Sequence, residues 1–380
     1  MDTNMTVSGK LSRSAKSLCA GLSILLAGAG LAACGDSNSE ASGENPINVV
    51  ASTTQICDYV KQLDIDEVDL TCLLAPNATA HELEMTHEQL TKTGNADLLF
   101  VNGVDLEHFL DQAIESSGFS GTMAVTSGVL TAGDVDAMKA AKDMDKTKPL
   151  PPEKAKNGNY TIDRGVEKID VAPWPFPPEE PGEEAEFRFD PHVWTSPKNA
   201  KIQVANIGYA LEKVAEERGD NELKSTIADH VAVYQDKLDQ LDQWASKSIA
   251  TVSDPVLFTS HDAFGYFSHE FNINFIGAAL SDFNEQQDAT AAHIAEAAKT
   301  VKDSGATALF AENSNNSKSI EAIAKAAGVK AIVGEDALYG DSLGPAGSDG
   351  ETYIGSIIHN VTQVVTAWDG TVAPLPEGIK

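Results

Sequence analysis

From Asn221 to Ala250 the chain contains neither proline nor glycine, and Ile227, Val231, Tyr234, Leu238 and Leu241 recur at steps of four, three, four and three. That spacing lays one apolar stripe along a helix of several turns. With no breaker inside it, such a helix is a stiff connection, and its stripe must pack on a neighbouring layer. On either side of it, short apolar runs alternate with helical patterns, which implies parallel sheets closed by right-handed crossovers. The expected architecture is α/β: two (β/α) lobes, residues 46–220 and 251–380, joined by one long rigid helix over 221–250.

In the first half, Ile47 to Ser52, Val68 to Leu74 and Asp97 to Asn102 read as strands, and Gln55 to Leu63 and Leu106 to Glu115 as helices. Thr86 and Gln89 fit a capping box opening a helix through Lys92. From about 139 to 188 the pattern dissolves into an acidic, proline-rich stretch, expected to be an extended, partly disordered insertion. Ser196 and Pro197 suit the cap and first residue of a helix from Lys198 to Glu217. In the second half, strands are expected at Val256–Thr259, Ala308–Ala311 and Lys330–Val333. Helices are expected at Ala263–Glu270, Ala291–Asp303, Ser319–Ala327 and Tyr353–Trp368.

The N-terminus carries an address. Lys10, Arg13 and Lys16 precede an apolar run from Leu18 to Leu31 that is too short for an ordinary membrane span. It ends in Leu31-Ala32-Ala33-Cys34, small residues before a cysteine, which resembles a bacterial lipoprotein signal. Residues 1–33 would be removed, Cys34 would carry lipid, and residues 34–45 would form a flexible tether. Of the four cysteines, Cys19 leaves with the signal. Cys57 and Cys72 remain as a possible disulfide in an export compartment. A formal charge of −30 leaves no basic footprint for nucleic acid or for an anionic membrane surface. It reads as a solvated acidic surface.

Three residues stand just past the ends of expected strands: His81, His261 and Asp341. A fourth, His192, sits in Asp190-Pro191-His192-Val193-Trp194, where a fixed proline backbone would aim its ring. Open parallel sheets bind ligands in the crevice beyond their strand ends. Neutral imidazoles with one carboxylate suit a tetrahedral zinc ion. The long separations between these residues require tertiary structure to hold the ion. Asp262 and Glu312 are candidate carboxylates to accept an imidazole N–H. Glu312 and Asp336 are rivals to Asp341 for the fourth position, and His87 is a weaker rival among the histidines because it falls in the first turn of a capped helix.

Ala80-His81-Glu82-Leu83-Glu84, Asp190-Pro191-His192-Val193-Trp194, Ser260-His261-Asp262-Ala263-Phe264-Gly265-Tyr266-Phe267 and Asp341-Ser342-Leu343 resemble, in order, motifs of the zinc/manganese-binding solute receptors of bacterial ABC transporters. The resemblance runs from about Asn45 to the last helix. It implies His81, His192, His261 and Asp341 as ligands in the cleft between the lobes, with histidine at 261 favouring Zn2+ over Mn2+. It also implies a monomeric, lipid-anchored receptor that docks on a permease driven by a cytoplasmic ATPase, without enzymatic chemistry. The chain departs from the family at its first motif, which lacks the usual Asp-Pro before the histidine, and in an insertion that is acidic without being histidine-rich.

The rival from another class is an exported zinc hydrolase with Glu82 as general base. His81-Glu82 has its next histidine at 87, the wrong spacing for His-Glu-x-x-His, and neither Gly-x-Ser-x-Gly nor a phosphate-binding loop is present. An adhesin on the same fold has no specific support in the residues. Because only neutral imidazole ligates, metal binding is expected to weaken as pH falls through about 6 to 7.

Overall fold

A computed structural model describes residues 46–81, 83–108, 110–141, 145–174, 187–279 and 290–379. Cys34 and the segment around it lie outside these residues.

The first sheet is built from β1 (Ile47–Ala51), β2 (Val68–Cys72), β3 (Leu98–Val101), β4 (Thr122–Val125), β5 (Glu153–Lys154) and β6 (Thr161–Asp163), in the order β2-β1-β3-β4-β6-β5. All neighbours are parallel except β5 against β6. Around it run α1 (Thr54–Gln62), α2 (His87–Gly94), α3 (Leu110–Ser117) and α4 (Ala132–Ala140). The second sheet is wholly parallel, in the order β10-β9-β7-β8. Its strands are β7 (Val256–Thr259), β8 (Asn274–Ala278), β9 (Ala308–Phe310) and β10 (Lys330–Ile332). Its helices are α7 (Gly265–Glu270), α8 (Ala291–Ser304), α9 (Lys318–Ala327) and α10 (Tyr353–Ala367).

Between the sheets lie α5 (Pro197–Arg218) and α6 (Asn221–Ile249). Ser196 caps α5 by accepting the Asn199 N–H, and Gly219 ends it in the left-handed region at φ 75°. Asp220 then caps α6 through the Leu223 N–H at 2.9 Å. The two helices fold back on each other, with Gly208 seated against the Val231 side chain. Ile227, Tyr234, Leu238 and Leu241 of α6 are buried in one apolar cluster that includes Val49 and Phe100 of the first sheet and Leu257 and Phe310 of the second. Each such side chain contributes roughly 1.5–3 kcal/mol relative to exposure. The stripe therefore fastens the helix to both lobes, so the connection is stiff because it is packed as well as because it lacks a breaker.

Two expectations need correction. The segment over 139–188 does not dissolve entirely: β6 extends the first sheet beside β4, and Arg164 anchors it by pairing with Asp134 at 2.7 Å and Glu153 at 2.8 Å. The tract from Pro175 to Glu186 lies outside the described residues. The third helix starts at Leu110, not Leu106, because Gly103, Val104 and Asp105 turn through φ values of 84°, 56° and 61°. Glu107 holds that left-handed turn by accepting the Asn102 and Gly103 N–H groups at 2.5 and 3.0 Å.

Cys57 on α1 and Cys72 at the end of β2 form a disulfide with a sequence separation of 15. In the chain-entropy account a loop of this length stabilises the fold by about 3 kcal/mol. Replacing both cysteines with serine is expected to lower the denaturation midpoint correspondingly, measured in guanidinium with and without reductant. An unchanged midpoint would show that the bond adds nothing.

Candidate metal centre

Both sheets reverse direction at an inner strand: β1 lies between β2 and β3, and β7 between β8 and β9. The crevice at such a reversal, outside the strands' carboxyl ends, is where open α/β sheets hold ligands. His261 follows β7 by two residues, and Glu312 follows β9 by two. The loop after β2 carries His81, and the loop after β10 carries Asp341. His192 stands immediately before the short turn Val193–Thr195 that leads into α5.

These four side chains converge. One donor atom from each of His81, His192, His261 and Asp341 lies within 4.8 Å of all the others. His81 Nε2 is 3.1 Å from His192 Nε2 and 3.4 Å from Asp341 Oδ2, and His192 Nε2 is 3.5 Å from Asp341 Oδ1. His261 Nδ1 is 3.8 Å from Asp341 Oδ1. The three imidazole rings are mutually edge-on at 5.0–5.4 Å. His192 and Asp341 are fully buried and His261 is 2 % exposed.

Each arm has its own support. Asp190 Oδ1 accepts the His192 backbone N–H at 3.0 Å and lies 2.7 Å from His192 Nδ1, which leaves Nε2 facing the centre. Glu312 accepts the His261 backbone N–H at 2.9 Å and lies 3.2 Å from its Nδ1. The Thr79 hydroxyl accepts the His81 N–H and donates to Asp341 Oδ2, both at 3.2 Å. Trp194, edge-on to His192, donates its indole N–H to the Gly340 carbonyl at 2.9 Å, and Gln55 donates to the Asp341 carbonyl at 3.1 Å. The loop that carries Asp341 thus rests largely on groups from the first lobe.

Burial lowers His81 to about 4, against the pull of Asp341. Burial alone would raise Asp341, but His261, His81 and His192, in that order of strength, reverse it and hold the carboxyl below its usual range. Both directions favour neutral imidazole and ionised carboxylate, the forms that ligate.

The other named residues fall elsewhere. Asp262 is buried, and its Oδ1 has no hydrogen-bond partner among the described residues. Burial raises its carboxyl well above the normal range. The carboxylate beside the His192 imidazole is Asp190. The signal in the sequence is Asp-x-His, an aspartate two residues before the histidine and able to bond the backbone ahead of it. Asp336 is exposed and accepts from Gln363, and His87 is the exposed first residue of α2. His359 is buried on α10, with Nε2 3.0 Å from the Ala337 carbonyl. Glu82 lies outside the described residues. Thr79 and Gln55 carry no signal in residue type that would have marked them.

A model of the family described as ZnuA, zinc-uptake complex component A, periplasmic, matches residues 49–367. The chain belongs to the ZnuA family. The manganese-binding lipoprotein MntA of Bacillus subtilis is 25% identical over 349 residues, 90% of this chain and 97% of the relative. The iron ABC transporter substrate-binding lipoprotein MtsA of Streptococcus pyogenes is 25% identical over 337 residues, 88% and 93% of the two chains. The solved periplasmic zinc binding protein TroA from Treponema pallidum shares the two-lobed fold, with a TM-score of 0.62 at 24% identity over 84% of this chain and 98% of its own. Like other ZnuA-family chains, this one is a substrate-binding component of a metal ABC transporter, not an enzyme.

Proposed function

We propose that the chain is an extracytoplasmic receptor, anchored by lipid on Cys34, that captures one zinc ion with His81, His192, His261 and Asp341. It then delivers the ion to a permease driven by an ATPase. The convergence of three imidazoles and one carboxylate within 4.8 Å carries this reading. Four protein donors fill a tetrahedral shell and leave no position for the bound water that a zinc hydrolase needs. Relatives named as lipoproteins support the anchor.

Zinc is favoured by the donor set, since manganese prefers sites richer in carboxylate and water. The relatives named for manganese and iron keep a second reading in view, a manganese receptor on the same ligands. Purified protein offered equimolar zinc and manganese is expected to retain zinc by elemental analysis. Retention of manganese in that mixture would overturn the zinc assignment.

Cys34→Ser is expected to move the protein from the membrane fraction to the soluble one with unchanged zinc affinity. Membrane retention of this variant would remove the lipid anchor from the account.

A further inference from the structure

Tyr266 is the second residue of α7, five residues beyond His261 on the second lobe. It lies 7 % exposed in an apolar cluster with Leu74, Val104, Phe189 and Trp194. Its hydroxyl donates to the Asp190 carbonyl at 2.8 Å and accepts the Ala172 N–H at 3.0 Å. Burial keeps that phenol protonated far above its usual range, so it is a permanent donor. Gly265, one residue earlier, lies so close to Asp190 that a Cβ there would run into Oδ2. Tyr266 therefore holds the Asp190 carbonyl, while Gly265 lets the start of α7 pack directly against the Asp190 carboxylate.

Asp190 is the group that fixes His192, by its backbone N–H and by Nδ1. We infer that Tyr266 is a positioning residue that aims His192 through Asp190, and so couples a ligand of the first lobe to the helix following His261 in the second. A motion that lifts α7 would withdraw His261 and untie Asp190 in one step. The two histidines would then let go of the ion together, not one after the other. This rests on the reading of His192 and His261 as ligands.

The test is a double-mutant cycle on the full-length protein, with zinc affinity measured by competition against a chromophoric chelator at fixed pH. Tyr266→Phe keeps the ring and its packing and removes only the hydroxyl. It is expected to weaken zinc binding by about tenfold, the lower end of what loss of a ligand's supporting partner costs. In an Asp190→Ala background, which keeps the carbonyl that Tyr266 bonds but removes the carboxylate that holds His192, Tyr266→Phe is expected to have no further effect. The visible spectrum of the cobalt-loaded protein should shift in Tyr266→Phe and show no additional shift when Asp190 is already replaced. Unchanged affinity in the single variant, or an equal loss in both backgrounds, would overturn the proposal and leave Tyr266 a packing residue. Failure of the ligand reading itself is separately visible, since His192→Ala would then bind zinc as tightly as the unmutated protein in the same assay.

Discussion

His192→Ala is expected to weaken zinc binding by two to three orders of magnitude while the protein stays folded. Structural zinc sites are worth roughly 10–16 kcal/mol over four ligands, so one ligand contributes about 2.5–4 kcal/mol. His192 is fully buried, and its Nε2 lies 3.1 Å from His81 Nε2 and 3.5 Å from Asp341 Oδ1, so no other donor can move into its place without shifting a packed loop. The variant also leaves Asp190 buried with its partner removed, a cost that falls on the metal-free protein as well. His261→Ala should behave alike. His87→Ala, at the exposed start of α2, should bind zinc as the unmutated protein does. Equal affinities for His192→Ala and His87→Ala, measured by chelator competition, would show the ligand set to be wrong.

The second large effect is a loss of stability in acid that depends on His81. In the unfolded chain this histidine titrates near 6.5, whereas burial holds it at about 4 in the folded metal-free protein. Between those values the unfolded chain binds a proton that the folded chain does not. Falling pH therefore favours unfolding across that window, and the penalty grows to roughly 3 kcal/mol near pH 4. Thermal melts of the metal-free protein from pH 7 to 4.5 should show this slope, and His81→Asn should lack its share of it. Saturating zinc should raise the melting temperature without flattening the slope, since a bound ion keeps the proton off the folded chain and leaves proton uptake by the unfolded chain unchanged. Identical slopes for the unmutated protein and His81→Asn would contradict the assignment. The same lowering changes the expectation drawn from free imidazole: proton competition at His81 begins near pH 4, below the range of 6 to 7.

How much the sequence reveals depends on how many residues carry each signal. The stripe from Ile227 to Leu241 spans several turns, and α6 emerges at Asn221–Ile249, within a residue of its expected ends. The capping box of Thr86 and Gln89 is a local chemical pattern and is present as read. Strands β4 and β8 are absent from the expected elements although strands as short, such as the three-residue β9 and β10, are among them, so length alone does not decide which strands are legible. The left-handed turn at Gly103–Asp105 is hidden because Val104 is a residue that ordinarily avoids positive φ; it is held by tertiary bonds, with the Glu107 carboxylate folded back on the turn and the Val104 and Asp105 N–H groups donating to the Val129 and Leu130 carbonyls. The site divides in the same way. Residues whose type suits a metal announce themselves, and the structure brings those four together. The groups that aim them (Asp190 from two residues away, Thr79 and Gln55 through single hydrogen bonds) act by position, which one sequence does not display.

X-ray absorption at the zinc edge of the loaded protein reads out the donor set itself. Four nitrogen or oxygen neighbours are expected near 2.0–2.1 Å, with outer-shell scattering from three imidazoles and no sulfur. Two or fewer imidazoles, or a shell completed by water, would contradict a closed site made of His81, His192, His261 and Asp341.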